Sequence, residues 1–206
     1  CLIIADGGYE GVWTGTKVGL GLDLAMKAGL PVRDLEFVAW APLAISGTNV
    51  VLPIGMLADG ATLHHSNGTP LDVDLTADST KLANAIDSNG DVVLDARNMG
   101  ESSVWWAQTF ELVSQRLGID MKKQTVSVHP RVATTIGGIA TDEHSRAVTG
   151  RWSRWFTGLY AAGDSACSGL HGAGLISGNR LLDAVAGGAA AGEHAAEYAK
   201  KTSHTG

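Results

Sequence analysis

The feature that most constrains the fold is a glycine-rich string in the last quarter of the 206-residue chain. It consists of Gly158-Leu-Tyr-Ala-Ala-Gly-Asp164, then His171-Gly-Ala-Gly174, and then Gly178-Asn-Arg-Leu-Leu-Asp183. This order predicts a short buried strand, a crossing loop and a helix. Glycines let the backbone approach a flat or anionic cofactor closely, and a helix N-terminus offers it unpaired N–H groups. Asp164, at the predicted end of the strand, is placed to hold a ribose or ribityl hydroxyl.

The string resembles the C-terminal flavin-binding segment of the succinate dehydrogenase/fumarate reductase flavoprotein family. The family pattern is roughly G-L-Y/F-A-A/V-G-E/D followed by H-G-A-N-R-L-G-G-N-S-L-L-D. Four other segments resemble that family in the same chain order: Ala5-Asp-Gly-Gly8, Leu35-Glu-Phe-Val38, Gly90-Asp-Val-Val-Leu-Asp95 and Ile136-Gly-Gly-Ile-Ala-Thr-Asp142. The resemblance implies an α/β fold with FAD as cofactor: part of an FAD-binding Rossmann-type domain with an inserted mixed α/β capping domain.

The resemblance divides the chain into three segments. Residues 1–34 are expected to be part of the FAD-binding domain, 35–150 the inserted capping domain, and 151–206 the returning part of the FAD-binding domain. The chain begins inside a predicted strand and lacks the family's N-terminal G-x-G-x-x-G element, so we expect it to be a fragment.

The local patterns predict individual elements within these segments. Expected helices cover about 19–29, 78–88 and 102–117, and expected strands lie near 36–45, 50–57 and 91–95. In the third helix we expect a core-facing stripe of large apolar side chains: Trp105, Trp106, Phe110, Leu112, Val113 and Leu117. The Ala- and Gly-rich stretch from Ala184 to Ala196 predicts a helix that packs very close to a sheet or cofactor, with Gly187 and Gly188 at the approach.

Composition excludes several classes of protein. The net charge is −6 and no basic cluster is present, which argues against a nucleic-acid partner. Two cysteines give neither a disulfide framework nor metal-ligand spacing, and Cys167 is expected to be a small buried residue. Phe37 to Ala58 carries no charge, but its prolines and glycines favour two buried strands joined by a turn over a transmembrane helix. We therefore expect no transmembrane segment.

This chain differs from the resembled family at the positions where the family's side chains bind substrate. Hydride transfer from a succinate-like dicarboxylate needs clamps for two carboxylates and a proton acceptor. The family's substrate-contacting His, Thr, His and Arg fall in turn on apolar residues: Ala41, Pro53, Ala133 and Leu175. The family's proton-transfer Arg falls near Ser79 to Ile86, where this chain has none. The resemblance, with these replacements, implies a substrate less acidic than succinate.

Other polar residues could build a different site: His129, Arg131, His171 and Arg180. Of these we take Arg131, His171 and Arg180 as the catalytic candidates. Arg180 replaces the family's Ser beside the pyrimidine edge of the flavin, where a cation would stabilise the anionic reduced flavin or bind an acidic substrate. Two structural alternatives stay open: His171 orders its loop, and Arg180 pairs with Asp183 or Asp164.

The resemblance implies a set of cofactor-binding residues: Gly7, Gly8, Asp164, Arg180 and Leu181. We expect no metal site. The pair His64-His65 precedes Asn67-Gly68, a dipeptide typical of a hairpin turn, so these histidines are expected to be exposed turn residues.

The expected function is that of an FAD-dependent oxidoreductase acting on a small-molecule substrate. One alternative is a non-catalytic flavoprotein-like subunit that serves assembly or electron relay. Another is a genuine succinate or fumarate enzyme with a displaced active site, for which Arg97 and Arg131 are the nearest basic residues. The resemblance implies an iron–sulfur electron-transfer subunit as partner and a cytoplasmic protein, attached peripherally to the inner face of the cell membrane through that partner.

Overall fold

The computed structural model of the chain describes residues 1–11, 19–74, 79–149, 154–176 and 178–202. These residues group into two units. The first comprises Cys1–Ala39 and Val132–Gly206, and the second comprises Trp40–Arg131. The boundaries of the units differ from the predicted domain boundary at 34/35, and the predicted boundary at 150/151 lies outside the described residues.

The described elements are, in chain order, β1 (Leu2–Ile4), α1 (Leu20–Lys27), β2 (Val32–Arg33), β3 (Val38–Ile45), α2 (Gly55–Ala58), β4 (Thr62–His65), α3 (Ser79–Asn89), β5 (Val92–Asp95), α4 (Ala107–Leu117), β6 (Val126–Thr135), β7 (Gly138–Ala140), β8 (Arg146–Thr149), β9 (Arg154–Ala161), β10 (Ala166–Cys167) and α5 (Asn179–Lys201). Two 3₁₀ turns join them, Gly100–Val104 and Gly163–Ser165. The fold is mixed α/β, as predicted.

The first unit holds two small sheets, in the orders β1-β9-β8 and β10-β7-β2. Strands β1 and β9 are parallel, with Ile4 opposite Ala161, and the amide of Ala162 donates to the carbonyl of Ile4 at 3.0 Å. Because parallel strands end at the same edge of a sheet, the loops that follow β1 and β9 become neighbours. The core beneath them is aliphatic: Ile4, Leu22, Ala25, Leu30, Ile139, Ala147, Leu159 and Ala161.

The second unit is built on the sheet β3-β6-β5-β4, in which β4 pairs antiparallel with β5 and β5 with β6. Its core is larger than that of the first unit and includes Leu43, Met56, Ile86, Leu94 and Val113. The predicted turn at Asn67-Gly68 follows β4: the amide of His65 donates to the carbonyl of Thr69, and Gly68 has a φ of 87°. His64 and His65 lie on β4 just before this turn, half-buried rather than exposed as predicted.

The strand predicted near 50–57 is wrong. Val51 makes only an isolated bridge to Ala44, and the chain then enters the short helix α2. The amide of Met56 donates to the carbonyl of Pro53, so the backbone is already turning where the strand was expected to continue. Among the described residues, no helix has both the length and the apolar character needed to cross a bilayer.

The helix predicted at 102–117 is two elements, a 3₁₀ turn at Gly100–Val104 and α4. The two tryptophans stand in the junction between them, where adjacent side chains cannot both face the core. Trp106 is half-buried and donates from Nε1 to Asp59 at 2.8 Å, whereas Trp105 is 84% exposed, so its predicted core position is wrong. Leu112 is also exposed, while Phe110 and Val113 are buried as predicted.

Helix α5 runs for 23 residues and packs on β9 through its smallest side chains. Ala191 and Ala195 are buried against Tyr160, which confirms the predicted close packing. A Cβ on Gly187 would lie 3.3 Å from the hydroxyl of Ser145, so this glycine lets the Ser145 loop approach the helix. Gly188 has no protein atom within 4 Å of its Cβ position, so packing against a sheet does not require it, and its close approach to a cofactor stays a prediction.

Candidate functional site

An open cleft of about 480 Å³ lies in the first unit, bounded by the loop after β1, the turn after β9 and the first turns of α5. Most residues that line it are small: Ala5, Gly7, Ala162, Gly163, Ala184 and Gly188. Three larger side chains complete the wall: Asp164, Arg180 and Leu181. Small residues leave the backbone accessible, so a flat ring system can lie against it. The cleft therefore has the room and the lining that a planar cofactor needs.

A hydroxyl and a carboxylate hold the loop after β1 in place. The amide of Gly7 donates to Ser165 Oγ at 3.0 Å, and Ser165 Oγ lies 3.0 Å from Asp6 Oδ1. The other carboxylate oxygen of Asp6 accepts from the amide of Gly21, in the first turn of α1, at 2.8 Å. Ser165 is 1% exposed, so the loop, the turn after β9 and the start of α1 are joined through a buried group.

The two glycines predicted to bind cofactor have different surroundings. Gly7 lines the cleft and has a φ of 95°, a conformation that favours glycine. Gly8 is buried and does not line the cleft; a Cβ there would overlap the side chains of Thr135 and Glu10. Gly8 thus allows a buried carboxylate and a buried hydroxyl to pack beneath the loop.

Arg180 pairs with Asp164 rather than with Asp183. Its Nε donates to both carboxylate oxygens of Asp164, at 2.7 and 2.9 Å, and its Nη2 also donates to Oδ2. The hydroxyl of Thr134 donates to the same carboxylate at 3.4 Å. The hydrogen bond to Asp164 raises the pKa of Arg180, with a smaller contribution from the charge of Glu10. Asp164 and Arg180 form one ion pair in the wall of the cleft, joining two of the predicted cofactor-binding residues.

A second, smaller pocket shares this ion pair and contains His171, Leu175 and Cys167. His171 Nε2 lies 3.5 Å from Asp183 Oδ2 and makes no hydrogen bond within the described part of the chain. Cys167 is buried, as predicted, and its thiol donates to Asp34 at 3.3 Å. Burial raises the pKa of this thiol, and the hydrogen bond to Asp34 raises it further. These properties are those of an unreactive structural cysteine.

The other basic candidates belong to the second unit. Arg131 donates from Nη1 to Asn49 Oδ1 at 3.0 Å and to the carbonyl of Thr48 at 3.3 Å, which anchors the turn after β3. Arg97 pairs with Asp95, and His129 is exposed on β6. Among the described residues, no three His, Cys, Asp or Glu side chains come together in a way that could hold a metal ion.

Sequence reasoning missed the groups that support the cleft from below: Asp6, Glu10, Thr134, Thr135 and Ser165. One signal was present. Asp6 stands in Ala5-Asp-Gly-Gly8 where the resembled A-T-G-G pattern has a threonine, and this carboxylate joins β1, β9 and α1. The others lie in stretches that show no pattern of their own, so only the fold reveals them.

Known proteins resemble this chain over most of its length. The family described as FAD binding domain matches residues 5–181. L-aspartate oxidase of Agrobacterium fabrum is 33% identical, with 91% of this chain aligned, and the fumarate reductase flavoprotein subunit of Escherichia coli is 30% identical, with 96% aligned. The chain spans 38% of the length of each of these relatives.

A solved structure shares the fold. A mutant of Escherichia coli quinol fumarate reductase superposes with a TM-score of 0.81 at 26% identity, covering 99% of this chain and 40% of that one. The match confirms the predicted α/β flavoprotein fold and the resemblance stated above. By its family match, its relatives and its fold, the chain belongs to the FAD binding domain family that includes the fumarate reductase and succinate dehydrogenase flavoprotein subunits and L-aspartate oxidase.

Proposed function

We propose that this chain forms part of the FAD site of an FAD-dependent oxidoreductase, and that the cleft beside Arg180 receives the flavin. The observation that carries the proposal is the cleft itself, which opens at the carboxyl ends of the parallel strands β1 and β9 and faces the start of α5. In open α/β sheets, ligands bind outside the carboxyl ends of parallel strands. Gly7 and Gly163, both at positive φ, leave backbone exposed there without side-chain obstruction.

FAD, when bound, would supply the hydride chemistry. The chain would supply the surroundings: Gly7 and Ala162 would allow close approach, the ion pair of Asp164 and Arg180 would offer a polar wall, and Leu181 would offer an apolar side chain. Gly8 would act from beneath the loop rather than by contact with the cofactor.

We propose a substrate less acidic than succinate. The two relatives named above are, by name, enzymes of fumarate and L-aspartate, both of which carry two carboxylates. The positions where the resembled family clamps carboxylates carry apolar residues here, and among these Leu175 lines the smaller pocket next to the ion pair. Two carboxylates left unpaired at these positions would cost several kcal/mol.

The experiment is the visible spectrum of the purified protein, recorded anaerobically before and after each candidate reductant. We expect a flavin band that succinate and L-aspartate leave unchanged and that an uncharged or monoacid substrate bleaches. Bleaching by succinate at an ordinary rate would show that a dicarboxylate site exists and that the substrate proposal is wrong. A purified protein without any flavin band would favour the non-catalytic subunit.

We also propose an electron-transfer partner. Several relatives are named flavoprotein subunits, which supports a multi-subunit complex. The resemblance described above implies that the partner is an iron–sulfur protein and that the complex is attached peripherally to the inner face of the membrane through it. Affinity purification from a mild-detergent extract tests this: a co-purifying iron–sulfur chromophore supports the proposal, and a flavoprotein recovered alone contradicts it.

A further inference from the structure

A separate open cavity of about 540 Å³ lies in the first unit, bounded by the loop between β7 and β8, the end of β2, the loop after β10 and one side of α5. It shares no lining residue with the cleft proposed to receive flavin. Its volume falls in the range of roughly 300–1,000 Å³ that is typical of small-molecule sites. Such a cavity is a candidate site where several polar side chains with unused hydrogen-bonding capacity converge on it.

Ser145 places a hydroxyl on the wall of this cavity, although the residue is only 8% exposed. Its backbone is fully used: the amide donates to the carbonyl of Asp142 at 2.9 Å, and the carbonyl accepts from the amide of Ala161 at 3.0 Å. Its hydroxyl makes no hydrogen bond to any residue that the structure describes. Because buried polar groups are nearly always hydrogen-bonded, a polar partner for this hydroxyl is expected in the cavity.

The carboxylate of Asp183 lines the same cavity from α5. Its side chain is 22% exposed, and its contacts are long: Ser168 Oγ lies 3.5 Å from Oδ1, and His171 Nε2 lies 3.5 Å from Oδ2. A carboxylate can accept about four hydrogen bonds, so Asp183 keeps most of its acceptor capacity. Gly187 follows one turn later on the same side of α5, and its Cβ position lies 3.3 Å from the Ser145 hydroxyl. The hydroxyl and the carboxylate are therefore neighbours on one wall.

The other charged groups of the cavity differ in whether a partner neutralises them. Asp142 is fully engaged, because Oδ2 accepts from Arg146 Nε at 2.6 Å and Oδ1 accepts from two backbone amides at 3.0 Å. Glu143 stands at the rim with a side chain that is 79% exposed. Arg33 is exposed at the end of β2 and makes no hydrogen bond or ion pair with the described residues. The cavity thus offers two carboxylates, Asp183 and Glu143, and one guanidinium without a permanent counter-ion.

From this arrangement we propose that the cavity binds a basic amino acid, of the class of L-lysine or L-ornithine. Such a ligand carries two ammonium groups and one carboxylate, which is the complement of the charges in the cavity. Its carboxylate pairs with Arg33, and its ammonium groups pair with Asp183 and Glu143. The Ser145 hydroxyl accepts from the ammonium group beside Asp183. The helix wall between these groups consists of small residues, which leaves room for the methylene chain: Ala186, Gly187 and Ala190.

Calorimetric titration of the purified protein at neutral pH and low salt tests the ligand class. The probes are L-lysine and two analogues that each lack one charged group: L-norleucine has no side-chain ammonium, and cadaverine has no carboxylate. We expect L-lysine to bind saturably with a Kd below about 1 mM and each analogue to bind at least tenfold more weakly.

Substitutions test the place of binding. R33Q should weaken L-lysine at least tenfold and leave cadaverine unchanged, because only L-lysine has a carboxylate to lose its partner. The matched control is R116Q: Arg116 is also exposed and unpaired among the described residues but belongs to the second unit, so L-lysine should bind within twofold of the parent. S145G removes the hydroxyl and suits the φ of 57° at this position. We expect S145G to weaken L-lysine at least threefold and D183N to weaken it at least tenfold.

The contrary outcomes are equally defined. Absence of saturable binding of both L-lysine and L-ornithine by the parent protein would overturn the proposal. Binding of L-norleucine or cadaverine as tight as that of L-lysine would show that the ligand class is wrong, and L-lysine binding unchanged in R33Q and D183N would show that the site lies elsewhere. If D183N does not fold, E143Q decides: a threefold or greater loss supports the site, and parental affinity overturns it. None of these readouts needs flavin, so their failure leaves the proposed function standing.

Discussion

Two glycines one turn apart on α5 allow a direct test of whether the cleft is the flavin site. Gly188 lines the cleft and Gly192 does not, and neither has an atom within 4 Å of its Cβ position. Neither glycine has a positive φ, so alanine fits the backbone at both. G188A and G192A therefore add the same methyl group to the same helix, and only G188A adds it to the wall of the cleft.

The two substitutions should have equal effects on folding. Replacing glycine by alanine inside a helix stabilises it by about 0.5–1 kcal/mol. For a chain of this size, 1 kcal/mol corresponds to a rise in Tm of about 2–4 °C. We expect this rise in both variants, measured by thermal unfolding of the flavin-free protein.

Their effects on flavin affinity should differ. A methyl group pushed into a fitted contact costs about 1–3 kcal/mol, and 1.4 kcal/mol is a tenfold loss of affinity. We expect G188A to bind FAD about tenfold more weakly and G192A to bind it as the parent does, measured by flavin fluorescence titration. Equal affinities in G188A and G192A would refute the placement of the flavin against this face of α5.

Three further predictions concern packing and charge. In G138A the new Cβ would lie 2.5 Å from the carbonyl oxygen of Ser165, a backbone atom, so we expect a loss of about 3 kcal/mol or more in urea unfolding; a loss below 1 kcal/mol would contradict this. The hydrogen bond from Arg97 lowers the pKa of Asp95 from 3.8 to about 2. Because the folded pKa is depressed, this pair stabilises the protein above about pH 4 and ceases to do so as the pH falls towards 2. The shift corresponds to about 2.4 kcal/mol, which we reduce to about 1 kcal/mol because the arginine is half-exposed. D95N should be less stable by that amount at pH 7 and match the parent near pH 2, and an equal deficit at both pH values would show that charge is not the cause. Burial raises the pKa of Cys167, so its thiol should react with a disulfide reagent at pH 8 only after unfolding; rapid reaction in the folded protein would contradict its buried position.

Much of the first unit could be predicted from the sequence, because its signals are local. The run of apolar residues before Gly163-Asp164 predicted β9, and the Ala- and Gly-rich stretch predicted α5 and its close packing. Several motifs in the same order as in the flavoprotein family predicted that the chain belongs to it, and the family match confirms this prediction.

The remaining features depend on contacts between distant residues. Ser165 lies 159 positions from Asp6, and nothing in the local pattern of either residue indicates their hydrogen bond. The prediction of a strand at 50–57 was wrong because the chain enters α2 after Pro53. The prediction that Trp105 lies in the core was wrong because the helix is interrupted there and the side chain faces outward. The sequence left Asp164 and Asp183 open as partners of Arg180. Only the structure shows that Asp164, in the turn after β9, is the partner.

The contacts of Asp6 couple three segments of the first unit. Its two carboxylate oxygens meet Ser165 and the amide of Gly21, and Ser165 in turn accepts from the amide of Gly7. If the loop after β1 opens, Ser165 and the amide of Gly21 both lose their hydrogen bond to Asp6, and Ser165 loses it in a buried position. We therefore expect the loop after β1, the turn after β9 and the start of α1 to open together in local unfolding. A ligand bound in the cleft would protect the amide of Gly21 from hydrogen exchange although it never touches α1.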